Sequence, residues 1–286
     1  MKVLVTGANG QLGRAMVSAL HRRGIPYTGT DIDTLDLTDE GAVMRFVQAD
    51  TPDVIVHCAA YTAVDKAESE PELCMRSNAW SSLFLARAAL AVGASLVLIS
   101  TDYVFDGEGS TPWEVLDERR PLNVYGLSKL QAEEAVRSLM TRCYVVRTSW
   151  LYDADGHNFL RTMLKLGKSS RDVRVVCDQI GSPTYAPDLA AFLCSLIRTD
   201  RYGFYHATNE GFCSWAEFAQ AIFDDAGIHC VVSPIPSVAY PTPARRPLNS
   251  RLSKNCLDER GFDRLPPWRD ALRRCLMELR LRREIL

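Results

Sequence analysis

Along the first 150 positions, apolar residues fall in short, nearly unbroken runs separated by stretches with helical spacing. Residues 3–5 form the first run and close on Thr6 and Gly7. Residues 11–23 follow, with Leu12, Met16, Val17 and Leu20 at helical spacing and Gly24 as the stop. The alternation then repeats. It predicts a strand over 27–32, a helix over 40–48 entered through Thr38 and Asp39, and a strand over 54–57. A long Ala- and Leu-rich helix over 72–92 behind Pro71 comes next, then a strand at 96–100, a helix at 124–139 and a strand at 143–147. Strands this apolar, separated by helices, imply a parallel doubly wound sheet covered on both faces.

After Trp150 the rhythm weakens. Helices are predicted near 158–166, 188–197 and 214–226, and strands at 174–177, 204–207 and 229–232. Prolines then cluster at Pro234, Pro236, Pro241, Pro243 and Pro247, in a loop-rich region of the kind that often builds a substrate site. The expected organisation is α/β. Residues 1–150 form a nucleotide-binding domain completed by strands from about 172–207, and residues 151–286 form mainly a smaller, discontinuous C-terminal lobe.

Composition narrows the function classes. A chain of 286 residues with 47% hydrophobic and 24% charged positions can bury a core without disulfide or metal staples. The net charge of -2 offers no basic field for nucleic acid or a membrane surface, so neither is an expected partner. The most apolar stretch, 83–99, contains Arg87, Gly93 and Ser95 and reads as a helix running into a strand rather than a membrane span. Nine cysteines without a C-x-x-C pair suit single thiols in a reducing compartment. Five dispersed histidines lack metal-ligand spacing, so no metal is expected. Met1 leads directly into a strand-like run, so no leader is expected and the cytoplasm is the default location.

Four runs carry candidate chemistry. Gly7, Gly10 and Gly13 give G-x-x-G-x-x-G between the first strand and first helix. Glycines there let a pyrophosphate approach the backbone, and the helix beginning at Gln11 offers free N–H groups and a positive dipole end. Asp31, closing the second strand, can accept hydrogen bonds from an adenosine ribose, although an Asp-Ile-Asp run also suits a turn. No Arg or Lys lies between Gly24 and Glu40 to welcome a 2′-phosphate. Tyr125 and Lys129 are four apart on a predicted helix and so share a face. There the ammonium can ease proton transfer from the phenol to a developing alkoxide. The run from Ser100 to Gly107 ends the fourth strand, where hydroxyls can meet a substrate carbonyl.

Together these residues resemble the extended short-chain dehydrogenase/reductase superfamily, with its Rossmann-like sheet, and more narrowly its dTDP-4-dehydrorhamnose reductase family. The resemblance covers nearly the whole chain. It includes the runs 62–68, 147–150, 178–184 and 241–250 as well as the glycine loop. It implies reduction, with NADH or NADPH, of the C4 keto group of dTDP-4-dehydro-L-rhamnose in cell-surface polysaccharide synthesis. It further implies Tyr125 as proton donor, Lys129 as its partner and a ribose ligand, and Thr101 as the hydroxyl orienting the carbonyl. Thr101, Asp102 and Trp150 would contact the sugar nucleotide. Gly7, Gly10, Gln11, Leu12, Gly13, Asp31, Asp36, Leu37, Ala60, Tyr61 and Thr62 would line the cofactor site. Some members dimerise through Mg²⁺ held by acidic C-terminal residues. Here residues 279–286 contain a single acid, Glu284, so a metal-bridged dimer is not expected and monomer and homodimer both stay open. Two alternatives also stay open: a sugar-nucleotide epimerase or dehydratase of the same superfamily, and a non-catalytic nucleotide-binding regulatory subunit.

Overall fold

A computed structural model describes residues 1–285; Leu286, the end of the tail read above, lies outside the described residues. The apolar runs of the first half become β1 (Val3–Thr6), β2 (Tyr27–Thr30), β3 (Val54–His57), β4 (Ser95–Thr101) and β5 (Cys143–Thr148). A later strand, β6 (Gly203–His206), completes the sheet. The order is β2-β1-β3-β4-β5-β6 and every pairing is parallel. β1, β3 and β5 are buried along their whole length, as strands covered on both faces must be.

Four helices join the strands: α1 (Gln11–Arg22), α2 (Glu40–Asp50), α3 (Ser81–Val92) and α4 (Val124–Leu139). On one face of the sheet, Leu12, Met16 and Leu20 of α1 pack in one cluster with Leu189 and Leu193 of helix Ala186–Leu196. The other face is covered by Val43 and Val47 of α2, Leu85 and Ala89 of α3, and Val136 of α4. The strand order reverses beside β1, between β2 and β3, which opens a crevice at the carboxyl ends of the strands.

Three sequence expectations need correction. The sheet is completed by β6 alone. Strand Asp172–Val176 pairs instead with Val231–Ile235 in a separate two-stranded ladder, over a second core holding Leu160, Phe218, Phe223 and Leu272. A strand's partner lies far along the chain, so its own pattern does not name it. The helix expected over 72–92 runs unbroken from Pro71 to Val92 but widens into a π turn at Arg76–Trp80. The extra residue in that turn leaves the apolar pattern looking helical throughout. Helix Trp268–Leu281 follows the proline-rich stretch, where the sequence reading places no element. Its buried stripe of Ala271, Leu272, Cys275, Leu276 and Leu279 has helical spacing. All nine cysteines are free thiols. Among the described residues, no helix is long and apolar enough to cross a membrane, and no group of three or more His, Cys, Asp or Glu could hold a metal ion.

A buried ion pair ties α4 to β4 and β5. Arg147 donates through Nε to Glu133 Oε1 at 2.8 Å and through Nη2 to Oε2 at 2.7 Å. Ser100 adds a hydrogen bond to Oε1 at 2.6 Å. Both partners are essentially inaccessible to water. Glu133→Ala leaves the guanidinium buried without its counter-charge, and the expected cost is about 3–5 kcal/mol. Urea unfolding should show it as a lower midpoint at unchanged slope. A loss below about 1 kcal/mol, the value of an exposed pair, would mean that water reaches the site.

Candidate active site

The cleft at the carboxyl edge of the sheet has a volume of about 900 Å³. Every residue singled out above lines it: the glycine loop through Gly7, Gly10, Gln11, Leu12 and Gly13, then Asp31, Asp36 and Leu37, Ala60, Tyr61 and Thr62, Thr101 and Asp102, Tyr125, Lys129, and Trp150.

The glycine loop is built for close packing as well as for a ligand. Gly7 turns at φ +67°, and a Cβ on it would stand 2.6 Å from the Ala59 backbone; one on Gly13 would stand 2.0 Å from the Gly7 carbonyl oxygen. The fold itself therefore demands these two glycines. Gly10 caps α1 without a side chain, so no side-chain oxygen takes up the first-turn N–H groups. That arrangement suits a phosphate. Asp31 accepts the Asn9 N–H through Oδ2 and the Ile32 N–H through Oδ1, each at 2.8 Å. It closes the turn, ties β2 to the glycine loop and lines the cleft.

Thr101 ends β4 and Tyr125 opens α4. Asn123 caps that helix by accepting the Gly126 N–H at 2.8 Å. Gly126 lets the helix close in: a Cβ there would lie 2.2 Å from the Tyr103 carbonyl oxygen. That contact places Tyr125 within hydrogen-bonding reach of Thr101 and edge-on to Tyr103, with ring centroids 5.7 Å apart. Thr101 donates to Asp102 Oδ1 at 3.0 Å and accepts the Tyr103 N–H at 3.2 Å. Burial pushes the Asp102 carboxyl up to about 6, against the pull of the Ser250 and Thr101 hydroxyls. Its Oδ2 is buried with no hydrogen-bond partner of its own.

The Tyr125–Lys129 spacing predicts an ammonium that eases ionisation of the phenol. The structure gives a different balance. Burial is the largest influence on Tyr125 and pushes its pKa up, and the Thr101 hydroxyl opposes the rise. Tyr125 is thus held as a neutral phenol ready to donate. Lys129 is 3% exposed. Burial pushes its ammonium down to about 8, while Glu133, one turn along α4, pulls it back up.

Trp150 sits at φ +49°, a left-handed conformation rare for an aromatic residue. It stacks on Trp215 with centroids 3.6 Å apart, and Gly181 lies close behind it, where a Cβ would approach the ring to 2.8 Å. Sequence reasoning missed Trp215, which also lines the cleft. The only trace of it is the capping box of Ser214 and Glu217 that starts its helix. Asn78 was missed too. It lies in the π turn, accepts the Tyr61 N–H at 2.7 Å, and donates to the Tyr61 carbonyl at 3.1 Å and to Ser128 at 2.8 Å. It thereby locks the loop at Tyr61 to α4.

Several of the longer runs prove to be mutual partners. Arg246 pairs with Asp65 at 2.8 Å, Asn123 donates to the Arg245 carbonyl at 2.8 Å, and Glu68 accepts the Val124 N–H at 2.9 Å. The proline-rich loop is therefore strapped beside the helix that carries Tyr125.

Comparison with known proteins agrees with this geometry. A family model described as RmlD substrate binding domain matches residues 1–281. The chain is 40% identical to the dTDP-4-dehydrorhamnose reductase of Escherichia coli strain K12, over 98% of each chain. Among solved structures, a dTDP-4-dehydrorhamnose reductase from Clostridium acetobutylicum superposes with a TM-score of 0.96 at 42% identity, covering 98% of this chain and 100% of that one. Another from Bacillus anthracis, in complex with NADP, gives a TM-score of 0.95 at 42% identity, covering 97% and 99%.

Proposed function

This chain belongs to the RmlD substrate binding domain family, and on that premise we infer that it reduces the C4 keto group of dTDP-4-dehydro-L-rhamnose to give dTDP-L-rhamnose. NADH or NADPH is the reductant. The observation that carries the reading is the convergence of the glycine loop, Thr101, Tyr125 and Lys129 on one cleft.

The residues present fit a dinucleotide. The α1 N-terminus has no side-chain cap, and both Asp31 and the buried Lys129 line the cleft. When bound, the reduced nicotinamide supplies the hydride for the keto carbon. The chain's own groups do the rest. Thr101, turning its one hydroxyl proton away from Asp102, holds the C4 oxygen of the sugar in place by a hydrogen bond. Tyr125, neutral through burial, gives its phenolic proton to that oxygen as negative charge develops there. Lys129 stabilises the phenolate left behind and holds the nicotinamide ribose. Asp102 Oδ2 accepts from a sugar hydroxyl, and the Trp150–Trp215 stack gives the sugar nucleotide a flat wall.

Asp31 tunes cofactor choice. With its carboxylate at the ribose, NADH is expected to serve at least as well as NADPH. Asp31→Ala should shift the ratio of kcat/KM values toward NADPH. A wild type that strongly prefers NADPH would place Asp31 elsewhere.

The reaction belongs in the cytoplasm, and nine free thiols suit that compartment. Assembly as a monomer or homodimer fits the reading equally. The test uses the purified protein alone, mixed with NADH or NADPH and dTDP-4-dehydro-L-rhamnose. Loss of reduced-nicotinamide absorbance with dTDP-L-rhamnose as product supports the assignment. Tight cofactor binding without turnover would favour a regulatory subunit, and a C4 epimer without net oxidation would favour an epimerase.

A further inference from the structure

A bound dinucleotide brings at least two phosphate charges to the glycine loop, and the segment between Gly24 and Glu40 supplies no Arg or Lys to meet them. α1 does. Arg14 lies one turn beyond Gly10 and lines the cleft. Helical side chains lean toward the N-terminus of their helix. Arg14 follows that rule and reaches back so that Nη1 donates to the Asn9 carbonyl. Its other two nitrogens, Nε and Nη2, are buried and have no hydrogen-bond partner. Donors left unmatched in a buried place carry a desolvation cost, so a native partner is expected for them. These two nitrogens form one straight edge of the guanidinium, the edge that pairs side-on with two oxygens of a phosphate.

The surroundings hold that edge in place. A Cβ on Gly156 would lie 3.3 Å from both Arg14 Nη2 and Gln11 Cγ, so the segment around Gly156 closes over the start of α1. Asn158 fixes it there by donating from Nδ2 to Gln11 Oε1 at 2.8 Å. The same place holds the uncapped N–H groups that follow Gly10.

We propose that Arg14 is a phosphate ligand for the dinucleotide, with Nε and Nη2 paired to the pyrophosphate at the N-terminus of α1. The proposal rests on the dinucleotide reading given above. It supplies the one cation that the segment around Asp31 lacks. Because the pyrophosphate is common to both cofactors, Arg14 strengthens NADH and NADPH alike and leaves the choice between them to Asp31.

The test is a fluorescence titration of NADH and of NADPH into the wild type, Arg14→Met and Arg14→Lys. Arg14→Met keeps the apolar stem and removes the donors, and both dissociation constants should rise roughly tenfold or more. Arg14→Lys keeps a point charge without the fork and should fall between; it carries the test if the Met variant does not fold. A rise confined to NADPH would overturn the pyrophosphate assignment and place Arg14 at the 2′-phosphate instead. Unchanged constants for both cofactors in a folded variant would overturn the proposal. A wild type that binds neither cofactor would instead overturn the dinucleotide reading.

Discussion

Lys129→Met is expected to be the most damaging substitution in the cleft, because one ammonium serves two partners. In the proposed mechanism it would hold the nicotinamide ribose and stabilise the Tyr125 phenolate. Turnover should fall at least as far as on loss of the proton donor, about 10²–10⁴-fold. NADH binding should weaken as well, by roughly tenfold or more for a lost charged hydrogen bond. Protein stability should not suffer, since the substitution removes a charge from a site that is 3% exposed. The same residue predicts a pH dependence. Burial holds the ammonium down to about 8 in the free protein. The charge is therefore present below that pH and is lost above it, and the NADH dissociation constant should rise as pH increases through about 8. Titrations of wild type and Lys129→Met between neutral and alkaline pH check both points. The variant should show no such rise, and an equal rise in both proteins would assign the titration to another group.

Tyr125→Phe should lower kcat by about 10²–10⁴-fold while leaving NADH affinity nearly unchanged. The ring keeps its edge-on contact with Tyr103, and only the hydroxyl facing Thr101 is lost. This contrast with Lys129→Met distinguishes a proton donor from a group that also binds cofactor. Thr101→Val should fall between the two, but it removes more than an orienting hydroxyl. Thr101 also receives the Tyr103 N–H and donates to Asp102, so the change disturbs the turn that follows β4. Thr101→Ser, which keeps the hydroxyl, is the control that separates orientation from local structure. Steady-state kinetics with a fluorescence titration on each variant checks the ordering.

Much of this architecture was legible because its signals are local. Helix Val124–Leu139 begins and ends where its spacing says it should. The strands of the first half match their apolar runs to within two residues at each end. The glycine loop, Tyr125 and Lys129 could be placed in one cleft because a parallel sheet gathers the carboxyl ends of its strands. What escaped depends on distant partners. Nothing in residues 172–176 says that they pair with 231–235 rather than with β5. Trp215 reaches the cleft only because the second lobe folds back against Trp150. Arg14 escaped a search for cations that was confined to the segment around Asp31, since a helical side chain reaches back along its own helix. The role of Gly126 becomes visible only when the Tyr103 carbonyl is seen against it.

The central claim is direct transfer of hydride from the cofactor to the sugar, with Tyr125 supplying the proton. It is tested most directly by single turnover with NADH carrying deuterium at the transferred position of nicotinamide C4, followed by mass and NMR analysis of the sugar nucleotide. The account predicts one deuterium per product molecule, located at C4 of dTDP-L-rhamnose, and the same transfer slowed about 10²–10⁴-fold in Tyr125→Phe. Product formed without deuterium, deuterium at any other sugar carbon, or full transfer at the wild-type rate in Tyr125→Phe with chemistry rate-limiting would contradict it.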